Sequence, residues 1–251
     1  MTQRAYNFNA GPAALPLDVL KQAQEQFVDF NGAGMSIMEM SHRSAQYEQV
    51  HEETASLMRE LFGIPDNYHV LFLQGGASTQ FAMLPMNLLR PGRPGAYIMT
   101  GSWADKALKE AKLIGETAIA ASTEGDRFTR MPDSSEIRIP EHAAYVHLTS
   151  NETIEGTQYA VYPDTGSVPL VADMSSDILS RPVDVSQFGV IYAGAQKISA
   201  LRASPSSLFA TIWRRRAQKA CRRCCGTARM RKTARSTIRR RRSRSIWSIW
   251  C

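Results

Sequence analysis

The segment Tyr68-His69-Val70-Leu71-Phe72-Leu73-Gln74-Gly75-Gly76-Ala77-Ser78-Thr79 decides the reading of this chain. Its first six residues form a short, nearly all-apolar run, the pattern of a strand buried on both faces. The next six are small or polar and open a helix. A buried strand that turns through glycines into a helix is the unit of a parallel α/β sheet. Upstream, Pro16 followed by Leu17, Leu20, Phe27 and Phe30 predicts an amphipathic helix ended by Gly32-Ala33-Gly34. Ser44 is placed to cap a second helix bearing Tyr47, Val50, Leu57, Met58 and Leu61, stopped at Gly63-Ile64-Pro65. Downstream, strands are expected over 96–100, 117–121, 145–149, 170–173 and 190–193, with a helix over 103–114. The expected fold class is α/β, a three-layer, mostly parallel sheet with no internal repeat.

Composition divides the chain in two. Of 251 residues, the first 197 hold 14 Lys+Arg and all 23 Asp+Glu, whereas residues 198–251 hold 16 Lys+Arg and no acid. The formal net charge of +7 averages these two unlike pieces. All four cysteines (Cys221, Cys224, Cys225, Cys251) and three of the four tryptophans lie in the basic tail. No apolar run approaches the roughly 18 residues of a membrane helix, and Met1–Tyr6 lacks the apolar core of a signal peptide. A cytoplasmic protein with no membrane partner is expected. The organisation expected is an arm over 1–15, a large domain over 16–197 and a disordered Arg-rich tail over 198–251.

In parallel α/β sheets, ligands gather where strands end and helices begin. After the first strand, Gly75-Gly76-Ala77-Ser78 brings backbone N–H groups close to an anion, although a Gly-Gly pair alone is also an ordinary turn. It is neither a P-loop nor a dinucleotide fingerprint. After the second strand stands Trp103, which suits either stacking on a planar ring or packing at the rim. Asp173 ends the apolar run Val168–Ala172; it reads as a buried carboxylate awaiting a cationic partner or as a helix N-cap. Past the last strand comes Lys197, a Schiff-base nucleophile or a surface lysine. Together, an anion cradle, a ring-stacking Trp, a buried Asp and a lysine match what pyridoxal phosphate requires.

The stretches Tyr6-Asn7-Phe8-Asn9-Ala10-Gly11-Pro12-Ala13, Met40-Ser41-His42-Arg43-Ser44 and Phe72–Ser78 carry a resemblance, as do Ser150-Asn151-Glu152-Thr153-Ile154-Glu155-Gly156 and Ala172-Asp173-Met174-Ser175-Ser176. In this order they resemble the fold-type I pyridoxal-phosphate aminotransferases of class V, and more narrowly the phosphoserine aminotransferase family, over residues 5–197. The resemblance implies transamination between glutamate and 3-phosphohydroxypyruvate, giving phosphoserine and 2-oxoglutarate in serine biosynthesis, by a cytoplasmic homodimer. It assigns cofactor attachment and proton transfer to Lys197, the pyridine nitrogen to Asp173, ring stacking to Trp103 and the phenolic oxygen to Thr153. Ala77, Ser78 and Gln196 would hold the phosphate, and Arg43 with His42 the anionic substrate. No metal is implied. Another aminotransferase of the same fold type is the alternative within enzymes.

Beyond Lys197 the resemblance stops, and the smaller C-terminal domain of the family is expected to be missing. One extra base after the Lys197 codon restores it. Permitted codons for Ile198–Trp213 then read Asn-Leu-Gly-Pro-Ser-Gly-Val-Thr-Val-Val-Ile-Val-Arg-Asp-Asp-Leu, which contains an apolar strand. The tail is therefore read as out of frame, and the chain as printed is expected to be inactive. An Arg-rich tail evolved for nucleic acid is the reading from a different class. Zinc at Cys221, Cys224 and Cys225 lacks a second ligand pair.

Overall fold

The computed structural model describes residues 4–73, 75–194 and, for the backbone alone, 209–214. Helix α1 (Leu17–Glu25) begins after Pro16 and buries no residue. It stops well short of the expected Gly32. A single 3-10 turn, Phe30–Gly32, follows instead, with Asn31 at φ 53°. Two side chains account for the early stop: Asp29 Oδ1 accepts the Gly34 N–H at 2.7 Å, and Asn31 Oδ1 accepts from Gln26 Nε2 at 3.0 Å. Such local bonds compete with the helix ladder, and no packing favours the helix here. Helix α2 (Ala45–Phe62) matches its expectation. Ser44 Oγ accepts the Tyr47 N–H at 3.3 Å, and Gly63 ends the helix.

Strand β1 (Tyr68–Leu73) leads into α3 (Gly76–Leu88), and β2 (Gly95–Met99) into α4 (Ser102–Lys112). Then come β3 (Thr117–Ser122), β4 (Tyr145–Thr149), a small hairpin of β5 (Asn151–Glu152) with β6 (Thr157–Gln158), β7 (Leu170–Asp173), β8 (Val190–Gly194) and β9 (Phe209–Arg214). The large sheet has the order β1-β9-β8-β7-β4-β2-β3. The ladders among β8, β7, β4, β2 and β3 are parallel. Strand β9 runs antiparallel to both of its neighbours, so β1 has the same direction as the parallel set.

Strands β2, β4, β7 and β8 are buried along their whole length, which is why their sequences are continuous apolar runs rather than alternations. On one face, Tyr97, Tyr145, Val171 and Tyr192 pack against Phe81 and Leu84 of α3 and Ala107 and Leu108 of α4. On the other, Ile98, Val146, Leu148 and Ile191 meet Phe62 at the end of α2 together with Met174, Ile178, Val185 and Phe188. That second layer is therefore built largely from turns and a 3-10 segment. Strand β1 is less enclosed than its sequence suggests: Tyr68 and His69 are buried, while Val70–Leu73 are half-buried.

The expectation that all of 198–251 lacks structure is corrected for six residues. Phe209–Arg214 form β9 and fill the slot between β1 and β8. Printed in single letters, FATIWR is rich in β-branched and aromatic residues, the composition that suits a strand whatever its reading frame. The rest of 198–251 lies outside the described residues.

Candidate active site

Because the parallel strands share one direction, the segments that follow β1, β2, β4, β7 and β8 emerge at one edge of the sheet. Two helices start there, and their N-termini differ. The first turn of α4 is filled by the chain's own carboxylates. Glu152 accepts the Ala104 N–H at 3.0 Å, the Trp103 N–H at 3.1 Å and the Thr100 hydroxyl at 3.3 Å. Glu155 Oε1 accepts the Ser102 N–H at 2.8 Å and its hydroxyl at 2.6 Å. Gly101 makes this possible: a Cβ there would run into the carboxyl groups of both glutamates. Glu152 is fully buried. Burial pushes its carboxyl up to about 6, against the lowering pull of the Ala104 and Trp103 N–H groups, and the nearby Glu155 charge adds to the rise.

Helix α3 receives no such cap among the described residues. Its first-turn N–H groups, at Gly76, Ala77 and Ser78, are those an incoming anion would meet. Gly75 stands at φ +102°, and a Cβ on it would strike the Thr79 side chain. Thr79 instead closes over the turn, its hydroxyl donating to the Gly75 carbonyl at 2.6 Å. Only glycine fits both the angle and the space.

Trp103 is the second residue of α4, with Lys106 Nζ 4.0 Å from its ring centroid, a cation–π contact on the ring face. Thr153 is half-buried in the β5–β6 turn, next to Glu152. Asp173 ends β7 with only 4% of its surface exposed. Its Oδ1 accepts the Ser175 N–H at 2.9 Å and the Ser175 hydroxyl at 2.5 Å. Ser175 Oγ in turn accepts the Gly194 N–H at 2.9 Å, and the Asp173 carbonyl accepts from Ser150 N–H and Oγ. No α-helix follows Asp173 among the described residues. The N-cap reading survives only as the Ser175 turn.

The structure thus brings Ala77, Ser78, Trp103, Thr153 and Asp173 to one edge. His42 and Arg43 are exposed in the turn before α2, and among the described bonds neither side chain joins that group. Gln196 and Lys197 follow β8 in sequence but lie outside the described residues. Among the described residues no cluster of three potential metal ligands occurs, and no helix is long and apolar enough to cross a membrane.

Sequence reasoning missed two sets of residues. Glu152 and Glu155 lie inside a quoted motif, yet their partners on α4 are about 50 positions away in sequence. His147 is the one strongly polar residue inside the apolar run of β4, and that oddity was the available signal.

The aminotransferase class-V family model matches residues 5–235. The chain is 64% identical to a phosphoserine aminotransferase of Niallia circulans over 197 residues, which are 78% of this chain and 54% of that one. It is similar to the solved phosphoserine aminotransferase from Bacillus circulans subsp. alkalophilus, with TM-score 0.81 and 60% identity over 86% of this chain and 59% of that one. The pyridoxal-phosphate-bound phosphoserine aminotransferase of Trichomonas vaginalis is also similar, with TM-score 0.82 and 31% identity over 97% and 67%. The chain spans about half the length of the curated relatives it matches.

Proposed function

Because the chain belongs to the aminotransferase class-V family, we propose that it derives from a phosphoserine transaminase that exchanges an amino group between glutamate and 3-phosphohydroxypyruvate. The observation that carries this is the contrast at the sheet edge: α4 has its N-terminus filled by Glu152 and Glu155, while α3 has no side-chain cap among the described residues and shares the edge with buried Asp173. That set suits pyridoxal phosphate, one end of which is an anion and the other a protonated ring nitrogen.

The backbone N–H groups of Ala77 and Ser78, with the Ser78 hydroxyl, would hold the phosphate. Asp173 would pair with the ring nitrogen, Trp103 would cover a ring face, and Thr153 would donate to the phenolic oxygen. When bound, the cofactor supplies an electron sink for the bonds at the substrate Cα. Lys197 would anchor it covalently and then carry the proton taken from that Cα, with Gln196 adding a donor to the phosphate. Arg43 and His42 would bind the substrate anion; a planar guanidinium suits carboxylate and phosphate alike. Cytoplasmic placement, a homodimer and a role in serine biosynthesis belong to the same proposal.

The coding sequence, read with one added base after the Lys197 codon, would continue into the rest of the fold. Two facts support this: the complete loss of acidic residues after that position, and the extent of the match to curated relatives, 197 residues. The test expresses both the 251-residue chain and the frame-restored chain with pyridoxal phosphate. Borohydride should fix the cofactor on Lys197, and only the restored chain should form phosphoserine from glutamate. Cofactor recovered on a peptide lacking Lys197, or no phosphoserine from the restored chain, would refute the assignment.

A further inference from the structure

Below the site edge, the face of the sheet that meets α3 and α4 carries a line of polar side chains inside an apolar layer. His147 Nε2 lies 2.7 Å from the Tyr192 hydroxyl. Asp173 is the ladder neighbour of Tyr192 on β7, and burial, the Asp173 charge and a hydrogen bond to its carboxylate together push the Tyr192 hydroxyl well above its ordinary value. His147 is only 2% exposed. Its ring stacks on Tyr97 at 5.0 Å and 28°, and Tyr192 sits edge-on to Phe81 at 6.3 Å and 74°.

Counting protons gives this line a direction. An ionised carboxylate only accepts, and a tyrosine has one proton to give. If Tyr192 gives it to Asp173, its oxygen must accept from His147, so the imidazole proton sits on Nε2. Nδ1 is then bare. The structure agrees: Nδ1 is buried and has no hydrogen-bond partner among the described residues, a poor place for an N–H but a tolerable one for a lone pair. Burial also pushes the imidazole down to about 3, which keeps it neutral. Ser175 already holds Oδ1 of Asp173 with two donors.

We propose that His147 and Tyr192 are positioning residues, a one-way donor chain that forms a second clamp on Asp173 beside Ser175 and presents its carboxylate ready-oriented to a cationic ring nitrogen. This rests on the pyridoxal-phosphate reading for its purpose, but not for its geometry. Neither residue touches the ligand. Both act through Asp173, and the low polarity around them strengthens each bond.

Two measurements on the 251-residue chain test it. With histidine nitrogens labelled, the spectrum at neutral pH should show His147 protonated on Nε2 and bare on Nδ1, and Tyr192→Phe should abolish that preference. A proton on Nδ1, or a charged ring, would overturn the donor chain. Pyridoxal-phosphate affinity, read by fluorescence quenching, should fall about tenfold in Tyr192→Phe, the scale of a bond to a charged group. His147→Leu should fall in the same direction, while His147→Gln, which keeps an N–H donor, should bind within about twofold of the parent. A packing role would favour leucine at this dry site, so leucine binding as well as glutamine overturns the proposal. The nitrogen spectrum needs no cofactor: a parent chain that fails to bind it sinks the functional reading, while the tautomer still decides the clamp.

Discussion

His147 ties the buried site to pH. Its imidazole is pushed down from 6.5 to about 3 by burial, so the unfolded chain takes up a proton before the folded one does. The contribution is whole above pH 6.5 and is lost as pH falls toward 3, with a slope of about 1.4 kcal/mol per pH unit. His147→Gln should remove that slope from urea unfolding midpoints measured between pH 6.5 and 4. An unchanged slope would assign acid sensitivity to other groups. At this scale the sequence is legible where a signal is local. Asp173, Trp103 and Ser78 each follow a recognisable apolar run by one or a few positions. The partnership of His147 with Tyr192 is not local, because it is set by the register of three strands. A single polar residue in an apolar run reveals only that a partner exists.

Elements show the same division. β4 and β7 fall where the apolar runs place them, because a strand covered on both faces has no other composition. α1 forms over Leu17–Glu25 but stops short of Gly32, because propensity without a buried face does not extend a helix, and Asp29 and Asn31 offer the backbone other bonds. The junction of α4 with the β5–β6 hairpin is the element-scale joint of the site. Glu152 supplies it with three accepted bonds, and Glu152→Ala would strand those donors at a cost of about 2 kcal/mol at pH 5. The raised carboxyl, about 6 against 4.5, sets the sign: the folded state prefers the protonated form, so this contribution is present below 4.5 and lost as pH rises through 6. The penalty of Glu152→Ala should therefore be smaller at pH 8 than at pH 5. Equal penalties at both pH values in chemical denaturation would contradict the assignment.

For the whole molecule, β9 carries the most weight. β1 is an edge strand whose ladder neighbour is β9, so the cradle at Gly75–Ser78 is joined to the sheet through residues 209–214. A chain ending at Lys197 should expose the edges of both β1 and β8, which template pairing with other copies. Size-exclusion chromatography should show it associating more than the 251-residue chain; a monomeric truncation with native spectra would show that β9 is dispensable. Antiparallel insertion of β9 was not legible, because the composition of the tail points to its charge and hides one short apolar run.

The same ladder sets an order of events during synthesis. Leu73 pairs with Phe209 and Tyr68 with Arg214, partners about 140 residues apart in the chain, among the slowest contacts to form. On the ribosome, β1 leaves the exit tunnel early, and its strand partner follows only after every parallel strand has emerged. Until then β1 presents an unpaired strand edge, the kind of surface through which a folding intermediate associates with other chains.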